Sequence, residues 1–186
     1  SLPAGTSIVL NNGDAETGNA AVSITSISAS DTGSGISEMA FWFEDDKTDA
    51  VWIPYASTAS YTPPSGEWNN GDTMYVYAWF KDNAGNISSS SVSDTITLNT
   101  TPPDGSFVID NGLTYTNDTN RFVDINMNLT EDGSYYRIGN STAALSSAGW
   151  TAYGTADQKT FPDWPLTTGD GTKTVYVQFR SPLGIE

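Results

Sequence analysis

The chain repeats itself. GTSIVLNNG over residues 5–13 returns as GSFVIDNG over 105–112, VWIPY over 51–55 as GWTAY over 149–153, and DTMYVYAWFKD over 72–82 as GTKTVYVQFRS over 171–181. The order is kept and each pair is separated by about a hundred residues, so one unit is written twice. The boundary falls in NTTPPDG, 99–105, where two consecutive prolines fix φ and favour an extended connector. This gives modules at 1–101 and 102–186, set end to end by a short, stiff linker.

Within each copy the pattern is that of short strands between turn residues. The first copy reads as strands at 7–11, 21–30, 36–44, 51–55, 74–81 and 92–99. The second reads as strands at 106–110, 122–129, 135–140, 150–153, 160–164 and 174–180. DTGSGI, 31–36, turns the second strand into the third. KDNAGN, 81–86, is a tight turn in which Gly85 is free to take positive φ. No segment longer than about ten residues carries a 3.6-residue apolar period, so the expectation is all-β. About a hundred residues of many short strands is the size of an immunoglobulin-type sandwich.

DTGSGISEM, the W-x-x-Y spacing, YVYAWFKDNAGNIS and SDTITLNTTPP together resemble bacterial immunoglobulin-like repeats of large surface proteins and adhesins. GDGTKTVYVQFR carries the same signature in the second copy. The resemblance implies tandem immunoglobulin-like β-sandwich modules serving as stalks or extenders, some of them stiffened by calcium. The second copy departs from it. Only RSPLGIE, 180–186, follows Phe179, and seven residues are too few for both a turn and a strand. Pro182 cannot donate to a ladder. The second module is therefore expected to lack its last turn and final strand, leaving Val175, Val177 and Phe179 on an open edge. Open edges recruit strands. Three readings stand: the sequence stops early, another chain donates a strand, or a local bulge or loop caps the edge.

Charge and composition exclude several functions. With 22 acidic and 7 basic residues the formal net charge is −15, which repels phosphate backbones and anionic lipid. Nucleic-acid and membrane partners are not expected. Histidine and cysteine are absent, so no disulfide, thiolate nucleophile, Ser-His-Asp triad or His/Cys zinc site can form. No apolar run is long enough to span a bilayer. The start of the chain lacks a charged segment followed by an apolar one, so an exported protein would be represented here by a mature fragment.

Strand parity marks a candidate surface. In the second copy Val175, Val177 and Phe179 alternate with Thr174, Tyr176, Gln178 and Arg180, so the apolar row faces the core. Carried to the first copy, this puts Val76, Ala78 and Phe80 inside and Tyr75, Tyr77 and Trp79 outside. The same comparison on the third strand turns Met39 and Phe41 inward and Trp42 outward. Trp42, Tyr75, Tyr77 and Trp79 would share one outer face, suited to a protein surface or to the apolar face of a sugar. A covering loop or a one-residue error in parity would remove the patch. Trp68, in SGEWNNGD, is expected to pack back on the sandwich.

Asp31 and Asp82, with Asn83 and Asn86, come from two turns that such a topology brings to one end. They are a candidate calcium site, set against the ordinary preference of Asp and Asn for turns. Sequons at Asn86, Asn99, Asn117, Asn128 and Asn140 are permissive for glycosylation. Catalysis has little footing. Glu38 and Glu44 read as solvated strand residues, and no phosphate loop or nucleophile elbow is present. Lys47, Lys81, Lys159 and Lys173 sit in turns or at strand ends, which argues against an isopeptide crosslink. The sequence thus points to a non-enzymatic structural or adhesive segment, secreted or at the cell surface. Its expected partners are neighbouring modules or subunits of the same protein. A self-assembling filament or surface-layer subunit, and a carbohydrate-binding module attached to an enzyme, are the rivals.

Overall fold

A computed structural model describes residues 1–155 and 157–186. The chain divides after Thr100 into two compact units, each built from two sheets enclosing one core.

In unit one the strands are β1 (Ala4–Leu10), β2 (Glu16–Thr17), β3 (Val22–Ser30), β4 (Ile36–Trp42), β5 (Val51–Pro54), β6 (Ala59–Tyr61), β7 (Thr73–Asp82) and β8 (Val92–Leu98). They form a three-stranded sheet, β1-β3-β6, and a five-stranded sheet, β2-β8-β7-β4-β5. Alternation along each strand sends one row of side chains between the sheets. Ile8, Leu10, Ile24 and Ile27 from one sheet meet Met39, Phe41, Val76, Ala78, Phe80 and Ile96 from the other, all buried. Trp68 joins them. Its indole N–H, which would be unpaired in an apolar core, donates to the Asp72 carbonyl at 2.8 Å.

Unit two contains β9 (Gly105–Ile109), β10 (Phe122–Leu129), β11 (Tyr135–Gly139), a short helix α1 (Thr142–Ser147), β12 (Thr151–Ala152), β13 (Gln158–Pro165) and β14 (Tyr176–Arg180). Its sheets are β9-β10-β13 and β12-β11-β14. Val123, Ile125, Met127, Leu129, Ile138, Tyr153 and Val175 form the core, with Val177 and Phe179 half-buried against it.

The two units share particular local features. Asn11, Asn12 and Gly13, and again Asp110, Asn111 and Gly112, form the same positive-φ turn. The first side chain of each turn accepts a main-chain N–H from the neighbouring strand, of Ser23 in one copy and Asp124 in the other. Tyr55 donates its hydroxyl to the Ile27 carbonyl at 3.4 Å, and Tyr153 to Met127 at 2.9 Å. The first copy has one extra residue, Thr6, which sits at a register shift between Gly5 and Ser7.

Several elements differ from the sequence expectation. Two-residue β2, three-residue β6 and α1 are additional; each is too short to carry a period. α1 is started by Ser141, whose hydroxyl oxygen accepts the Ala144 N–H at 3.1 Å. The turn expected to be absent from unit two is present. Ser181 N–H donates to Ile185 O and Gly184 N–H to Ser181 O, matching Asp82 N–H to Asn86 O and Gly85 N–H to Asp82 O. Gly184 and Gly85 have φ of 87° and 85°. Seven residues therefore suffice for the turn.

Candidate functional site

The parity argument places Trp42, Tyr75, Tyr77 and Trp79 on the outer face of the five-stranded sheet, and the pairing Trp42↔Tyr77 and Ala40↔Trp79 agrees with it. The four are not equally accessible. Tyr75 is 50% exposed, Trp42 and Tyr77 are half-buried, and Trp79 is only 3% exposed. Trp79 is therefore a covered residue, not an offered one.

The cover has two parts. Ala40 pairs with Trp79 on β7 and with Trp52 on β5, and it has no exposed surface between them. Lys81 Nζ stands 4.3 Å above the Trp52 ring and 2.5 Å from the Glu38 carboxylate, so the stem and charge of the lysine lie along the same patch. The second part is the β4–β5 loop. Ser91 donates its hydroxyl to Asp45 at 2.6 Å. Ser91 precedes β8, on the far side of β7 from β4, so the loop reaches it only by crossing the outer surface of β7. Trp52 was not singled out from sequence, and Lys81 was weighed only as a crosslink candidate. The signal was available, since Trp52 lies in the repeated W-x-x-Y segment.

What remains open is a narrower surface. The Tyr75 and Tyr77 rings are stacked, 5.9 Å apart and 17° from parallel, and Tyr77 lies 6.2 Å from Trp79. Beside them on β8, Ser93 pairs with Tyr77 and Thr95 with Tyr75, both exposed. Two ring faces next to a row of hydroxyls offer apolar stacking and hydrogen bonding together.

The turns bearing Asp31 and Asp82 do meet. Asn83 donates its amide to the Ser34 and Gly35 carbonyls at 2.7 and 3.2 Å. The carboxylates, however, are engaged by donors. Asp82 accepts from Ala84 N–H, Asn86 N–H and the Asn86 side chain at 2.8–2.9 Å. The Asn86 amide is the main reason its carboxyl is held below the usual range. Asp31 accepts from the Ser1 hydroxyl and from the Gly33 and Gly35 N–H groups, the serine contributing most to its lowered pKa. Among the described residues no group of three or more acidic side chains converges.

Val177 and Phe179 lie on an edge. β14 pairs with β11 on one side and with no strand on the other among the described residues. Tyr153 N–H bonds to Ser134 O, which fixes the main chain of Ser134, Tyr136 and Ile138 toward β12. Alternation then turns Tyr135, Arg137 and Gly139 toward Arg180, Gln178 and Tyr176. The main-chain groups of Val177 and Phe179 therefore point to the open edge. Val175 lies just before the strand and is buried.

No protein-family model matches the chain, and no curated protein matches it. One solved structure that aligns with it comes from work on the promiscuous specificity of carbohydrate-binding modules of the β-sandwich superfamily. The alignment covers 96% of this chain and 95% of that one, at 14% identity and a TM-score of 0.38. That TM-score is too low to carry fold or binding across.

Proposed function

We propose that the chain is a non-enzymatic segment of an extracellular stalk, two immunoglobulin-like modules in series, of the kind found in bacterial surface proteins and adhesins. The observation that carries this reading is the direction of the end strands of unit one. Leu10 N–H donates to the Asp94 carboxylate at 2.9 Å, and a Cβ on Gly5 would lie 3.0 Å from Val92. Along both strands residue number rises the same way, and β2 pairs parallel to β8. The chain therefore enters the sandwich at one end and leaves it at the other, which is what a module strung in series requires. The dense negative charge keeps such a segment soluble and apart from anionic surfaces. The reading does not depend on calcium: the Asp31 and Asp82 carboxylates accept hydrogen bonds within their own turns.

Small-angle scattering tests it. A single compact body of 186 residues has a radius of gyration of about 16 Å. Modules in series give more than about 20 Å by the same scaling applied to two separated bodies. A value near the compact figure would sink the stalk.

A second reading has one observation behind it, the stacked Tyr75 and Tyr77 rings beside Ser93 and Thr95. On that reading unit one takes a sugar face there. A glycan array probed with the native chain and with Tyr75→Ala tests it; equal signals on both would exclude this surface.

A further inference from the structure

β4 stops short of the start of β7. Leu98 N–H donates to Asp72 O, so the even-numbered residues of β7 direct their main-chain groups at β8 and the odd-numbered ones at β4. The last rung with β4 is Trp42↔Tyr77, although β7 begins at Thr73. The main-chain N–H and C=O groups of Thr73 and Tyr75 therefore point past the end of β4 and meet no strand there. The gap comes from the departure of β4 after Trp42, and every residue that lines it lies between Phe43 and Tyr75 in the chain.

This gap is a notch of about 300 Å³, at the lower end of the size range of ligand pockets. Phe43 and Trp68, both packed in the core, line its inner side. Its rim is polar. Glu67 and Asp72 are exposed there, and no lysine or arginine lines it. Asp72 gives one carboxylate oxygen to the Asn69 N–H at 3.0 Å, and the Glu67 side chain has no hydrogen-bond partner among the described residues. Half-exposed Tyr75 borders the notch and is also one of the two stacked rings. Stacking surface and hydrogen-bonding groups thus adjoin.

We propose that the notch is a sugar subsite: it takes one residue of a neutral oligosaccharide whose adjoining residue lies on the Tyr75 and Tyr77 rings. The proposal rests on the reading of those rings as a sugar platform, and adds the polar contacts and the charge class of the ligand. The Glu67 and Asp72 carboxylates accept from hydroxyl groups of the sugar. The main-chain N–H of Tyr75 and the carbonyls of Thr73 and Tyr75 complete the set. Such acceptors favour uncharged hydroxyl donors. A uronate or a sulfate ester in the same place would face two carboxylates and no cation, on a chain of net charge −15. Acidic glycans are therefore rejected.

The test is an array of neutral, uronate-bearing and sulfated oligosaccharides probed with the full chain, followed by titration of those that bind. Binding confined to neutral glycans is expected, and Tyr75→Ala abolishes it. Glu67→Gln combined with Asp72→Asn weakens it by about tenfold or more, since both changes keep the shape and remove the charged acceptors. Glu67→Gln alone, at an exposed side chain, shows the weakening in the same direction should the double variant melt early. Binding that is lost in Tyr75→Ala but unchanged in the Glu67 and Asp72 variants would overturn the subsite and leave the platform standing. Uronate-bearing or sulfated glycans held as tightly as neutral ones would do the same. Absence of any binding that depends on Tyr75 would overturn both.

Discussion

Gly105 lies directly beneath the ring of Phe179: a Cβ at that glycine would stand 2.7 Å from Cδ2. Gly5 and Phe80 repeat the relationship, at 2.5 Å from Cε2. The difference is what surrounds the ring. Phe80 has no exposed surface, whereas Phe179 is half-buried on the open edge of its sheet. Gly5→Ala is therefore expected to lower stability by about 1–3 kcal/mol, the usual cost of overpacking a closed core. Gly105→Ala is expected to cost less than about 1 kcal/mol, because its ring can swing outward. Chemical denaturation of both variants reads the difference.

Tyr153 and Tyr55 allow a similar comparison. The Tyr153 hydroxyl is buried and shares its one proton between the carbonyls of Met127 and Asp157, at 2.9 and 2.5 Å. Tyr153→Phe is expected to cost about 1–2 kcal/mol by leaving those carbonyls short of a donor. Tyr55 holds its carbonyl at 3.4 Å, so Tyr55→Phe is expected to be nearly silent in the same melt.

Trp79 and Tyr75 should separate stability from surface. Trp79→Ala removes a covered indole and is expected to destabilise unit one by about 3 kcal/mol or more. Tyr75→Ala, at a half-exposed site, is expected to change stability by less than about 1 kcal/mol. Thermal melts of the two variants check this.

The Asp82 turn should be acid-sensitive. Hydrogen bonds from Asn86 and Ala84 hold its carboxyl below the ordinary range, so the folded state binds that proton less readily than the unfolded one. The stabilisation is present above the unfolded pKa of about 3.9 and is lost as pH falls through the lower folded value. Unit two makes the corresponding bond, Ile185 N–H to Ser181, with an uncharged hydroxyl. Asp82→Ser is therefore expected to lower Tm at pH 7 and to have a progressively smaller effect below pH 4. A pH-independent loss would contradict it.

The inward rows were legible because the copies differ where burial does not constrain them. Tyr75 and Trp79 stand against Thr174 and Gln178, while Val76 and Phe80 stand against Val175 and Phe179. Positions that must face the core stay apolar in both. The burial of Trp79 was not legible, because it depends on Asp45 reaching Ser91 across another strand, a contact that leaves no periodic trace. The last turn was missed for a local reason. Pro182 and Leu183 replace Asn83 and Ala84, and only the alignment of Gly184 with Gly85 preserves the signal. β6 and α1 are shorter than any pattern that could announce them.

The parallel course of β1 and β8 has a mechanical consequence. Tension applied to the two ends of unit one pulls these strands along their own axes in opposite directions. The rungs joining β1 to β3 and β8 to β7 are then loaded in shear, many at once, instead of being unzipped one by one. A sandwich connected in this way resists stretching first at the strands nearest the two ends of its chain.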